Sequence, residues 1–393
     1  MLPLTGITIL DVSQTLPGPY ATMLLADLGA DVIKVERPGT GDPFRHLGRG
    51  MFETVNRNKR SIALDLKKPE ALDVFFGLAR TAHAVVEAYR PGVAERLGIA
   101  YDRVKAVNPS VVYCSIAAFG QTGPLREIVG HDLNMALTGV LSMAKDRQGR
   151  PVRPGLPIAD LTAAMFAAFT IVSAIRGAEQ TGEGRYLDVS MADALLAWTS
   201  VRLPEWALGE GLPDPNAYGL VATANDFFET SDGEYIAIAA QEEKLWQNLC
   251  RAIGKLEWLA DPRYADNAAR LEHRSELLAQ LQATFKARTR SEWLELLKGS
   301  DVPYSPVNSV AEAMSTPQFS ERGLFQQVQD RQGRVLNQIR FPVPLDSEVG
   351  VRRAPPALGE HTADILRERL GMRPEDVQAL QRSGAIGICA DET

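Results

Sequence analysis

Along the first 120 residues, short runs of β-branched and apolar residues alternate with longer stretches whose apolar positions recur at helical spacing. The pattern predicts strands over residues 7–12, 31–36, 61–66, 84–87 and 111–117. It predicts helices over 19–28 and 69–81, and a helical turn near 93–97. Strands separated by helices of this length require right-handed crossovers, so the expected fold class is α/β with a mostly parallel sheet covered on both faces.

Farther on, residues 156–178 are small and apolar almost without interruption, which reads as a buried core helix stopped by Gly182-Glu183-Gly184 and followed by a strand over 186–189. The stretch 209–218, rich in glycine and proline, reads as a linker. Beyond it, 225–230 and 235–239 alternate around Ser231-Asp232-Gly233, a hairpin signal, and amphipathic helices follow over 242–253, 267–287 and 290–298. Strands return over 333–344, and a helix over 359–370 is placed to rejoin the first domain. The domain expectation is therefore a large domain from 1–199, a linker at 200–224, a smaller α+β domain at 225–319 and a return segment at 320–393.

Composition narrows the function without naming it. The 393 residues carry a net charge of −7, with 45% apolar and 23% charged residues. Nucleic acid is a poor partner for so acidic a chain. The start carries no basic leader, and the apolar run is too short and too alanine-rich for confident membrane insertion, so a cytoplasmic, unexported protein is expected. Three isolated cysteines, Cys114, Cys250 and Cys389, suit a reducing compartment and give no metal-ligand spacing. The turn after the first strand, Ser13-Gln14-Thr15-Leu16-Pro17-Gly18-Pro19, lacks the Gly-x-Gly-x-x-Gly fingerprint, and no Walker loop exists. Nicotinamide and P-loop nucleotide chemistry are disfavoured.

Three groups of residues could carry chemistry. Of five histidines, His46, His83, His273 and His361 have structural contexts, whereas His131 in Gly130-His131-Asp132 opens an apolar helix after a glycine-rich loop, beside a carboxylate that could hold its tautomer. Asp160 is the sole charged residue between Arg153 and Arg176. Placed at the N-terminal end of the buried helix, it reads as an N-cap and, compatibly, as a carboxylate kept ionised by helix-end amides, ready to attack an acyl carbon or accept a proton. The third group is cationic: Arg37, the run Arg57 to Arg60, Arg90 and Arg96, all read as following predicted strands of the parallel sheet, where open α/β folds bind ligands. Such clustering in an acidic protein suggests a phosphate-bearing small molecule.

These segments resemble the family III CoA-transferases, the CaiB/BaiF family, which includes the alpha-methylacyl-CoA racemases. The resemblance covers nearly the whole chain, through Leu28-Gly29-Ala30-Asp31-Val32-Ile33-Lys34-Val35-Glu36-Arg37-Pro38-Gly39, Asn58-Lys59-Arg60-Ser61, Arg90-Pro91-Gly92, Thr181-Gly182-Glu183-Gly184 and Leu358-Gly359-Glu360-His361-Thr362. It implies a Rossmann-like large domain and a homodimer of interlocked rings. It also implies coenzyme A held by Arg37, Tyr89, Arg90, Arg96 and Leu97, with Thr15, Leu64 and Ala88 alongside. No metal is implied.

In the transferases the position of Asp160 is the nucleophile that forms an aspartyl anhydride and an aspartyl-CoA thioester, passing coenzyme A from an acyl thioester to a small carboxylic acid. In the racemases the positions of His131 and Asp160 form the acid/base pair, with Glu242 hydrogen-bonded to the histidine. The racemase glycines after the aspartate are replaced here by Leu161-Thr162-Ala163-Ala164, and residues 261–270 resemble the transferases. The formyl-CoA transferase lid is replaced by Ala239-Ala240-Gln241-Glu242-Glu243. The transferase reading is preferred; the racemase and a non-catalytic CoA-binding protein are the alternatives.

Overall fold

In the computed structural model the buried runs become β1 (Thr8–Asp11), β2 (Asp31–Glu36), β3 (Arg60–Leu64), β4 (Ala84–Glu87), β5 (Val112–Ala117) and β6 (Tyr186–Ser190). Between and after them lie α1 (Pro17–Asp27), α2 (Pro69–Ala79), α3 (Val93–Leu97), α4 (Tyr101–Val107), α5 (Ile158–Thr181) and α6 (Met191–Ala197). The middle of the chain supplies β7 (Asn225–Glu229), β8 (Tyr235–Ala239), α7 (Glu243–Ala252), α8 (Arg274–Phe285), α9 (Arg290–Leu297) and β9 (Tyr304–Pro306). The last part adds β10 (Phe325–Gln329), β11 (Val335–Ile339), α10 (Thr362–Leu370), α11 (Pro374–Arg382) and β12 (Ile386–Gly387). The structure describes residues 1–143, 145–146, 148–203, 207–209, 223–345 and 349–389. Most of the expected linker, 204–206 and 210–222, lies outside the described residues.

The chain divides into one unit of Met1–Ser200 with Glu321–Thr393 and another of Val201–Ser320. In the first, seven strands form one sheet in the order β12-β3-β2-β1-β4-β5-β6. Strands β1 to β6 run parallel, and only β12 is antiparallel to its neighbour. Alternate side chains feed opposite faces. Ile9, Val32, Val86 and Cys114 pack towards the α1, α5 and α6 side, while Leu10, Ile33, Val85 and Tyr113 pack with residues of α2, α10 and α11. Burial on both faces is why these strands are continuous apolar runs.

The family-like motifs of the last segment tie it to β3. Ser61 N donates to His361 Nδ1 at 3.3 Å and its carbonyl accepts His361 N–H at 3.0 Å. Ala63 N donates to Thr362 Oγ1 at 3.1 Å. The Gly-Glu-Gly turn is also architectural: a Cβ on Gly184 would lie 1.9 Å from the Val111 carbonyl oxygen, so only glycine lets β6 start there.

Some expectations are corrected. The single helix over 267–287 is two, Asn267–Glu272 and α8, separated at His273. Helices α4 and α11 were not expected. The apolar run of α5 is buried along one side only: Ala159, Ala163, Ala164 and Ala167 are in the core, but Met165, Phe166 and Phe169 are exposed, Phe169 by 71%. By length and composition this helix could cross a membrane, and half of its most apolar window is buried in the fold.

In the second unit β7, β8 and β9 form an antiparallel sheet over a core of Trp246, Trp258, Phe285 and Trp293. Buried Arg270 anchors the transferase-like segment, donating to the Tyr264 carbonyl at 2.9 Å, pairing with Glu243 at 2.8 Å and lying 5.0 Å from the Trp246 ring centre.

Candidate active site

The chain leaves β1 for β2 on one side of the sheet and later adds β4 on the other. The crevice beyond the carboxyl ends of β1 and β4 is therefore the topological switch point, where ligands of such sheets bind. Thr15 follows β1, Arg37 follows β2, Leu64 ends β3, and Ala88, Tyr89 and Arg90 follow β4, with Arg96 and Leu97 on α3. The expected coenzyme residues thus share one edge of four adjacent strands. Arg37, Arg90 and Arg96 are exposed and make no ion pair with any described residue. Ala88, Tyr89 and Leu97 are half-buried, and Leu64 is buried.

Thr15 has a left-handed φ of 65°, a strained conformation for a non-glycine residue. Its N–H is held by the Asp42 carboxylate at 3.2 and 3.3 Å, and Asp42 is paired with buried Lys34 at 3.0 Å. Gly18 lets this turn close, since a Cβ there would stand 2.2 Å from Ser13 Cβ.

The cationic run Arg57 to Arg60 is not part of that edge. Arg57 pairs with Asp27 at 2.7 Å, Lys59 with Asp11 at 2.9 Å, and Arg60 with Asp31 at 2.6 Å and Glu368 at 2.9 Å. These cations precede or begin β3 and are consumed by carboxylates within the fold. Burial works against the charge on Asp11, but Lys59, Lys34 and the Ser13 hydrogen bonds overcome it and hold the carboxyl at about 2. Burial and the neighbouring Lys34 bring Lys59 down to about 8 despite Asp11. Both partners are charged at neutral pH.

Asp160 is the third residue of α5, not its N-cap; Pro157 holds that position and contributes no side-chain cap. The cap comes from Asp132, whose Oδ1 accepts Ala159 N–H at 2.8 Å. Asp132 therefore serves the helix rather than the imidazole beside it. His131 is exposed at the start of the 3₁₀ segment Asp132–Thr138, with its backbone N–H on Asn134 Oδ1 at 2.9 Å. The Asp132 bridge brings His131 and Asp160 to the same end of α5. The Asp160 carboxyl accepts no hydrogen bond from any described residue, and burial, then the Asp132 charge, raise it from 3.8 to about 7. The expectation of a carboxylate kept ionised by helix amides is thus corrected: burial and the like charge of Asp132 favour its protonated form up to about pH 7. The part played by Asp132 was missed because its partner lies 27 residues away.

Glu242 belongs to the second unit, where it is the exposed N-cap of α7; its carbonyl accepts Trp246 N–H at 3.0 Å, while its carboxylate caps no N–H of the helix. Cys114 is buried and its thiol is pushed well up by burial, an inert core residue.

A parallel sheet with a cationic edge at its switch point suits an anionic ligand, and the carboxyl near the start of α5 has no hydrogen-bond partner among the described residues. The profile of CoA-transferase family III matches residues 4–362, and the chain belongs to that family. The mouse succinyl-CoA:glutarate CoA-transferase is 34% identical, covering 98% of this chain and 91% of the mouse protein. A succinyl-CoA–D-citramalate CoA-transferase of Chloroflexus aurantiacus is 32% identical over 98% of each chain. Among solved structures, a CaiB/BaiF family protein from Brucella suis superposes with a TM-score of 0.82 at 31% identity, covering 94% of this chain and 99% of that one. With these relatives, the chain is a CoA-transferase.

Proposed function

We propose that this enzyme moves coenzyme A between a dicarboxylic acyl thioester and a second free acid, using Asp160 as nucleophile, as a cytoplasmic homodimer. The observation that carries the reading is the state of Asp160: a carboxyl at the positive end of a long apolar helix with no described group bonded to it. Relatives named for succinyl-CoA with glutarate or D-citramalate support dicarboxylic partners.

The Asp160 carboxylate adds to the thioester carbonyl and expels CoA thiolate, leaving a mixed anhydride. The thiolate then attacks the aspartyl carbonyl, releasing the donor acid and leaving an aspartyl-CoA thioester. The acceptor carboxylate repeats these steps in reverse, and the free carboxylate returns. Each step needs an oxyanion stabilised and water excluded, which the helix dipole and partial burial favour. Arg37, Arg90 and Arg96 hold the coenzyme's phosphates, with Thr15, Leu64, Ala88, Tyr89 and Leu97 around them. The exposed apolar side chains Met165, Phe166 and Phe169 of α5, with Leu133, Leu137 and Trp198, support a second copy as their cover. Sedimentation then reads a dimer; a monomer at micromolar concentration contradicts it.

The reading is tested by incubating the enzyme with succinyl-CoA and a panel of dicarboxylic acids and following the new thioesters by mass spectrometry. Formation of none of them, or solvent deuterium entering a 2-methylacyl-CoA without any acceptor acid, contradicts it. Arg90→Ala weakens CoA binding by about 1.5–3 kcal/mol, the loss of a charge-assisted bond. Calorimetry showing unchanged affinity for both Arg90→Ala and Arg37→Ala removes the cationic edge from the site.

Attack requires the ionised form of Asp160, so kcat/KM falls as pH drops through about 7. Asp132→Asn keeps an oxygen for Ala159 N–H but removes the charge that raises Asp160, and it moves this acid limb to lower pH. A limb that stays in place shows that Asp132 does not act on the nucleophile.

A further inference from the structure

Glu87 ends β4 with only 3% of its surface exposed, and no cation pairs with it among the described residues. Its Oε2 accepts Tyr89 N–H at 2.7 Å, and Ser115 stands directly opposite in the β4–β5 register, where its hydroxyl favours the ionised carboxyl. The chain therefore turns over this carboxyl before passing through Arg90 to Gly92, whose φ of 81° starts α3. Beside it lies a cavity of about 230 Å³ lined by Glu87, Arg90, Tyr101, Ser115, Gln121 and Tyr186 among others.

The surroundings oppose a charge on Glu87. Glu95 of α3 and Asp188 of β6 act on it as like charges, and Asp102 of α4 also lines the cavity. Tyr113 and Cys114 of β5 and Tyr186 of β6 add no positive charge. On the β1 side, the nearby Asp11 is neutralised by Lys59. Arg90 is the one cation lining the cavity among the described residues, and it is exposed. Burial first, then Glu95 and Asp188, push Glu87 up to about 7 against the opposing pull of Ser115 and Tyr89 N–H.

We propose that Glu87 is a positioning residue for coenzyme A: its carboxyl holds the Tyr89–Arg90 turn in shape and takes up a proton as the coenzyme's phosphates arrive. The inference rests on the reading that this turn binds the coenzyme. Phosphate charge brought to Arg90 repels an ionised Glu87 across poorly screened, partly buried space. The neutral carboxyl still accepts Tyr89 N–H through its carbonyl oxygen, so the turn keeps its shape in the protonated form. By linkage, a proton that favours the coenzyme is itself favoured by it.

The test is calorimetry of free CoA in two buffers of different ionisation enthalpy, using the Asp160→Asn enzyme as parent to remove the other carboxyl that titrates near neutrality. The parent takes up a fraction of a proton, and its affinity falls about 3–10-fold between about pH 6.5 and 8.5. With Glu87→Gln the uptake drops to what the coenzyme's own phosphate contributes, and binding at the higher pH matches the parent's at the lower. Glu87→Ala, which frees Tyr89 N–H, binds more weakly at both. Equal proton uptake and equal pH dependence in the parent and Glu87→Gln overturn the inference. No CoA binding by the parent at any pH overturns the coenzyme reading itself.

Discussion

Asp160→Asn lowers the rate of CoA transfer by about 10⁴-fold or more, the scale on which removal of a covalent nucleophile acts. The same substitution stabilises the folded chain under alkaline conditions. A carboxyl whose pKa rises from 3.8 unfolded to about 7 folded is protonated more tightly by the folded state. Its ionisation therefore costs stability, progressively as pH rises from about 4 and in full above about 7. Asparagine carries no such cost, so at about pH 8 the variant gains about 1–3 kcal/mol, and at about pH 4 it gains nothing from this source. Thermal melts at the two pH values, beside a transfer assay, check both halves. Near-normal transfer by a well-folded variant eliminates Asp160 as nucleophile. A lost activity accompanied by a large fall in melting temperature at both pH values shows a structural carboxyl instead.

Lys59→Met destabilises the large unit by about 3–5 kcal/mol, the cost of leaving a buried charge without its partner. The ammonium makes three bonds of 2.9 Å, to Asp11 Oδ2, the Pro19 carbonyl and Asn56 Oδ1, and is 1% exposed. Removing it strands Asp11 beneath the loop that carries Ser13 and Thr15, so coenzyme affinity falls with stability. Denaturant unfolding of Lys59→Met and of the Asp11→Asn/Lys59→Met double variant checks the origin of the loss. Recovery of part of the stability in the double variant is expected, because the stranded charge is gone. A surface lysine would give a loss of about 0.5 kcal/mol or less, and that result sinks the account of the run as internal struts.

The contrast between Lys59 and Arg90 shows what a sequence can and cannot carry. Both are basic residues near strand ends, and the sequence grouped them as one ligand-binding cluster. The carboxylates that consume Arg57, Lys59 and Arg60 come from Asp27, Asp11 and Asp31, 29 to 48 residues away, and no local pattern reveals such pairing. The central strands were legible because burial on both faces leaves continuous β-branched runs bounded by turn residues, as in Asp31–Glu36. Helix α4 was not, since its seven residues mix Asp102, Arg103 and Lys105 with a single buried valine. Strand β12 has two residues and exists only through its pairing with Ala63 and Leu64.

At the candidate site, the position of Asp160 near the start of an apolar helix was readable from its isolation among small residues. Its protonation behaviour was not. That depends on Asp132, brought to Ala159 N–H by the fold of residues between them, and on desolvation that only the packed helix supplies. The opposite exposure of α5, Met165, Phe166 and Phe169, was hidden for a different reason. An all-apolar helix reads as core whether its second face meets its own chain or another.

The central claim is that coenzyme A passes from one acid to the other through covalent intermediates on Asp160, and oxygen labelling tests it most directly. The enzyme is given succinyl-CoA and glutarate whose carboxylates carry oxygen-18, quenched after one turnover, and the peptide containing Asp160 is read by mass spectrometry. When the glutaryl–aspartyl anhydride breaks to glutaryl-CoA, one labelled oxygen stays behind on the Asp160 carboxyl. The account predicts that single label, located on Asp160, and its later appearance in released succinate. Glutaryl-CoA formed with no label on Asp160 contradicts it.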